Sequence, residues 1–122
     1  MIVNTTSHII FIYSLNDCVI KNGVVETRGL RKPVFPEQVY NFSSNPAEIV
    51  NGSIRNLPEP KTGVKYIVTL RIKEALPNRK DLLVPKYPVF SPGTDYIIGY
   101  LMLSGYINNC QLTPSRGEGF KA

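Results

Sequence analysis

The sequence is poor in the residues that most often carry catalysis or hold metals. It has one histidine, His8, and two cysteines, Cys18 and Cys110, far apart along the chain. Neither a CxxC pair nor a Cys/His cluster occurs, which argues against a structural zinc site. One histidine and scattered acids also fall short of the ligand set a catalytic metal needs. His8 with Asp81 or Cys18 would make a formal catalytic pair, yet no nucleophile-elbow or catalytic-cysteine signature accompanies them. A lone histidine beside a strand is more often a hydrogen-bonded structural residue. Walker and dinucleotide fingerprints are missing: Gly117 and Gly119 sit near the end of the sequence with no helical pattern after them. The expectation is a protein without catalytic residues, cofactor or metal.

Long apolar runs are missing as well. No stretch approaches the ~18–20 residues that span a bilayer. The first residues lack a basic n-region and a long h-region, so no signal peptide is expected. Together these point to the cytoplasm, where thiols stay reduced. The N-x-S/T sequons at Asn4, Asn41 and Asn51 then carry no glycan.

Turn formers and β formers are abundant. Ten prolines and nine glycines, with seven tyrosines and five phenylalanines among 122 residues, favour a turn-rich β protein over a helix bundle. The length suits one domain, expected over 1–108, followed by a polar, glycine-bearing, flexible tail over 109–122 in which Phe120 is free to dock on a neighbouring subunit. Strands are expected over 1–3, 8–13, 18–20, 24–27 and 37–42, with a turn or bulge of small polar residues at 4–8. Asn22-Gly23 between β-branched runs predicts a type I′ hairpin. Residues 28–36 read as a loop, and 47–54 as a strand interrupted at Asn51-Gly52. Leu57 to Gly63 is a proline-stiffened loop.

Lys65 to Leu70 reads as a strand with Tyr66, Val68 and Leu70 on one face and Ile67 on the charged one. A short helix follows near 71–76, and Pro77 stops it. Leu82 to Val84 is a buried strand, continued by Lys86 to Phe90 at a sheet edge because of Pro85 and Pro88. Tyr96 to Ile107 is the last long strand, bent or bulged at Gly99 and Gly105. The expected fold is mainly β: a small antiparallel barrel-like domain with one short helix near 71–76.

Net charge is +5, and its distribution is informative. Eight bases against three acids fall between Arg55 and Lys86, an excess equal to the whole net charge. Such a segment is either a solvated surface or a patch that attracts phosphates. Within it lies Asn78-Arg79-Lys80-Asp81, pinned to an apolar run. Arg79 and Asp81 are either an ion pair that shapes the loop or a clamp, with Arg79 on a phosphate and Asp81 on ribose or base donors. Tyr66, Tyr87 and Phe90 are aromatic enough to stack on a base, and equally suited to a core. No recognition helix, RNP-like strand pair or zinc finger is visible, so long nucleic acid is not the expected partner.

Several short motifs share an order and spacing. Val3-Asn4-Thr5-Thr6-Ser7-His8-Ile9 resembles the "N-L-T-P-H" start of a family of small bacterial and phage proteins. Leu57-Pro58-Glu59-Pro60, Tyr66-Ile67-Val68-Thr69, Ala75-Leu76-Pro77, Arg79 to Pro85 and Tyr96 to Gly99 are similar to its "L-P-E-P", "Y-I-V-S", alanine-rich turn, "R-x-D-x-x-x-P" and "R-I-I-G" pieces. Thr5 and Ser7 depart from that pattern, and 24–50 does not match it. The resemblance implies a phage or prophage character and marks Asn4, Thr6, His8, Arg79 and Asp81 as recurring polar positions. With Tyr66, Lys80 and Arg71 they form the candidate ligand-binding set. The expected function is sequestration of a small anionic nucleotide, concretely a nucleotide signal of antiphage defence, by a homo-oligomer whose packing closes the pocket. The alternatives are a small phosphodiesterase or lyase with His8 as acid/base, and a protein-interaction module using the tail and 96–107.

Overall fold

A computed structural model describes residues 1–28 and 38–105. The loop expected over 28–36, the domain limit at 108, the tail with Phe120, and Cys110 lie wholly or almost wholly outside those residues. The chain runs through β1 (Ile2–Asn4), β2 (Ile10–Ile12), a 3-10 turn (Leu15–Asp17), β3 (Cys18–Lys21), β4 (Val24–Thr27), β5 (Gln38–Tyr40), β6 (Glu48–Val50), β7 (Ser53–Arg55), β8 (Lys65–Ile67), α1 (Leu70–Ala75), β9 (Leu82–Phe90) and β10 (Ile97–Ser104). The fold is mainly β and nearly closed into a barrel, with one short α-helix among the described residues.

The main sheet has the order β1-β8-β9-β10-β2-β5, and the β3–β4 hairpin joins it through β4 on β9. Strand directions are mixed. Parallel pairs join β1 to β8, β8 to β9, β2 to β10 and β4 to β9; antiparallel pairs join β9 to β10, β2 to β5 and β3 to β4. Helix α1 lies on the connection from β8 to its parallel neighbour β9, since a parallel pair needs a crossover that no hairpin turn can supply.

Ile10, Ile12 and Ile67 form one core cluster, with Ile2, Tyr40, Tyr100 and Leu103 against it. Tyr66, Val68, Ile72, Leu82 and Val84 form a second, which includes α1 and is joined by Ile49 and Ile54 of the β6–β7 hairpin. Tyr13, Cys18, Val25 and Val89 form a third, beside the β3–β4 hairpin. Alternation along β8 sends Tyr66 into the second cluster and Ile67 into the first, so both faces of this strand are buried. Ile67, expected on a charged outer face, is therefore at 0% exposure.

Three further expectations are corrected. The strand at Lys65 ends at Ile67, and Leu70 belongs to α1, with Thr69 at its N-cap. Residues 47–54 are two strands folded back on each other, because Asn51 and Gly52 both take positive φ (50° and 79°), the requirement of a type I′ turn. Asn22 and Gly23 (52° and 78°) make the same turn in the expected hairpin.

The third correction concerns Lys86 to Phe90, which lies inside the sheet and not at its edge. On one side β9 pairs with β10 from Val84 to Phe90; on the other it pairs with β8 at Leu82 and Leu83, then with β4 at Val89 and Phe90. The prolines sit in the interval between those partners. Asp81 and Leu83 turn their carbonyls toward the β8 side, accepting from Tyr66 N and Val68 N. By alternation the missing N–H of Pro85 faces the same side, where β8 no longer needs it. Tyr87, at φ 59°, re-aims the strand toward β4.

The expected bulge at Gly99 is present: pairing with β9 shifts register between Ile97 and Gly99. A Cβ at Gly99 would lie 2.6 Å from Phe11 O and 2.7 Å from Tyr13 Cδ2, against the edge of the tyrosine ring. Glycine is needed there for close approach, not for a turn.

Candidate functional site

The N-terminal ends of β1, β8 and β9 come together because the three strands run parallel. Ile2 is level with Lys65, and Tyr66 with Leu82. The turn before β8 is closed by Val64 N donating to Lys61 O (3.1 Å), with Gly63 at φ 77°. It brings Lys61 back beside Lys65. The Lys80-Asp81 pair leads into β9 at the same end. The result is a shallow, open concavity of about 480 Å³, lined by Ile2, Val64, Lys61, Lys65, Lys80 and Asp81 among others. Lys61, Lys65 and Lys80 are all exposed.

Arg79 and Asp81 form a bidentate ion pair. Arg79 Nε donates to Asp81 Oδ1 (2.9 Å) and Nη2 to Oδ2 (2.6 Å). Nη2 also donates to Pro58 O (3.0 Å), tying the proline loop to the entry of β9. The hydrogen bond from Arg79 holds the Asp81 carboxyl below its ordinary value against the opposing effect of burial, and Asp81 pushes Arg79 up. Both Asp81 oxygens are thus engaged by one guanidinium, and the pair presents little net charge to the concavity. Lys73 supports this turn from below: its Nζ donates to Arg79 O (2.7 Å) while its side chain is buried. Lys86 is buried too, so the basic segment is not one continuous surface.

Asn4 and Thr6 form a different structure at the other ends of the strands. Asn4 Nδ2 donates to His8 O (2.8 Å) and Tyr40 O (3.2 Å), and Thr6 N donates to Asn4 Oδ1 (2.9 Å). The single hydroxyl proton of Thr6 lies between Asn4 Oδ1 (2.7 Å) and His8 O (3.0 Å). Both residues are buried. Ser43 N donates to Thr6 O (2.9 Å) beside them. These bonds link β1 to the β5 segment, the two outer strands of the sheet, and nearly close the barrel. His8 itself is exposed, and its imidazole has no partner among the described residues.

Of the sequence-predicted residues, Arg79, Lys80, Asp81 and Tyr66 gather at the N-terminal end. Tyr66 is buried, with its hydroxyl 3.5 Å from Glu59 O. Asn4, Thr6 and His8 stand apart from them. From Asn4 to Asp81 is two strand spacings across and two residues along, about 12 Å between Cα atoms. Arg71 is exposed on α1, outside the concavity. Lys61 and Lys65 belonged to the basic segment but were not singled out; the signal was Gly63, whose turn folds one lysine toward the other. Lys73 carried no sequence signal, since its burial follows from tertiary packing of α1.

Among the described residues no three His, Cys, Asp or Glu side chains gather where they could hold a metal ion. Nor is any helix among them long and apolar enough to cross a membrane. Comparison with protein-family models, curated proteins and solved structures found no match to the chain.

Proposed function

We propose that the protein is a binding protein of phage or prophage type that captures a small anionic nucleotide, concretely a nucleotide signal of antiphage defence. The observation that carries this reading is the concavity lined in part by Lys61, Lys65 and Lys80, where the carboxylate of Asp81 is already paired with Arg79. Its volume is in the range of small-ligand sites. Ammonium groups on flexible stems suit phosphates as point charges. Ile2 and Val64 offer an apolar wall to a base. Arg79 acts here by holding Asp81 and the proline loop in place, and Lys80 by direct contact. Because the concavity is shallow, a second copy of the chain packing over it would complete the enclosure.

A second reading, docking of another protein, is favoured by one observation. Val3, Ile9, Val39 and Phe42 expose large apolar side chains near the join of β1 and β5.

Incubating the protein with a nucleotide panel, removing free ligand and heating the protein separates these. Capture predicts a thermal shift and intact nucleotide on release. Converted nucleotide would mean an enzyme. No shift with any nucleotide would leave the docking reading.

A further inference from the structure

The chain has two Asn-Gly pairs, Asn22-Gly23 and Asn51-Gly52, and both are type I′ hairpin turns with positive φ at both residues. Asn-Gly is the sequence most prone to loss of the side-chain amide, since a glycine nitrogen is the least hindered nucleophile a chain can offer. Gly52 N bonds to Asn51 Cγ, the bond from Cγ to Nδ2 breaks, and ammonia leaves. Water then opens the resulting succinimide at either carbonyl to give aspartate or isoaspartate. The net change consumes one water and releases one ammonia, without oxidation or reduction.

The folded turn opposes ring closure. A left-handed residue has ψ near +47°, which turns the following nitrogen away from its own Cγ. The reaction therefore waits for the turn to open, and its rate follows the open population.

The two turns differ in what opening disturbs. The Asn22 hairpin is hydrogen-bonded into the main sheet through β4, where Val25 pairs with Val89 and Glu26 with Phe90. Val24 and Val25 are almost fully buried. The Asn51 hairpin is a separate two-stranded sheet of three residues per strand, paired only with itself among the described residues. Such a hairpin is marginal by itself. Its base is pinned by Asn56 Nδ2 donating to Pro46 O (3.1 Å) and Ala47 N donating to Thr5 O (2.8 Å), while Asn51, Gly52 and Ser53 at the tip are exposed. The Asn51 side chain has no hydrogen-bond partner among the described residues.

We propose that Asn51 is a spontaneous deamidation site of this protein and converts well ahead of Asn22, because opening the β6–β7 hairpin breaks no strand pairing with the main sheet. The product adds a negative charge at the tip. An isoaspartate also lengthens the backbone by one methylene, which breaks the Val50–Ser53 register and loosens Ile49 and Ile54 over the core.

The test is ageing of the folded wild-type chain at mildly alkaline pH, followed by peptide mapping with isoaspartate detection at both turns. The folded protein should convert Asn51 at least about tenfold faster than Asn22, equivalent to about 1.4 kcal/mol between the two openings. In denaturant the two should convert at similar rates, which shows that structure sets the difference. Equal rates in the folded protein, or faster loss at Asn22, would overturn the proposal.

Discussion

Asn4 does with one side chain what backbone pairing leaves undone between β1 and β5. Its amide reaches the part-buried Tyr40 O and His8 O, and its carbonyl receives the buried Thr6 N. Removing that amide leaves the buried Thr6 N and two part-buried carbonyls without this partner. Asn4→Ala is expected to lower unfolding stability by about 2–3 kcal/mol in a urea titration. Arg79 supports the molecule differently, and its signature is pH dependence. The Asp81 carboxyl is held below its unfolded value, so the pair's stabilisation is fully present above the ordinary aspartate range and lost as pH falls through the lower folded value. Arg79→Ala should therefore cost stability at neutral pH and flatten the acid limb of the stability curve. An acid limb identical to wild type would contradict this. Asn4, Thr6, Arg79 and Asp81 stood out in the sequence as short polar motifs. Their bonding did not, because partners such as Tyr40 O and Pro58 O lie far away in sequence.

At the scale of elements, the strands follow local rules where turns decide and depart from them where tertiary pairing decides. Asn22-Gly23 predicted its hairpin because the turn chemistry is local. Pro85 and Pro88 pointed to an edge, and that failed because β9 changes partner beside them, a fact no local window contains. Gly99 was legible as a bulge, though the reason it must be glycine is the approach of Phe11 O and Tyr13. Gly99→Ala is expected to cost about 2–3 kcal/mol by overpacking, since a backbone carbonyl cannot swing aside as a side chain would. Thermal or urea unfolding measures it. Lys73→Ala should cost about 1–3 kcal/mol by leaving Arg79 O without its donor. A loss below a few tenths would mean that water replaces the ammonium there.

The parallel run of β1, β8 and β9 gives the molecule a concavity lined in part by three lysines, by putting three strand starts at one end. The sequence showed the charge excess and its segment; it could not show that Lys73 and Lys86 turn inward while Lys61, Lys65 and Lys80 turn outward. Equilibrium titration of a nucleoside triphosphate against the wild-type protein and a Lys61→Ala, Lys65→Ala, Lys80→Ala variant tests the central claim most directly. All three side chains are exposed, so the variant should keep its stability. The account predicts saturable binding by the wild type, weakened by added salt and lost or reduced by at least about tenfold in the variant, a change of about 1.4 kcal/mol. Equal affinity in the two proteins, or no binding by the wild type at low salt, would contradict it.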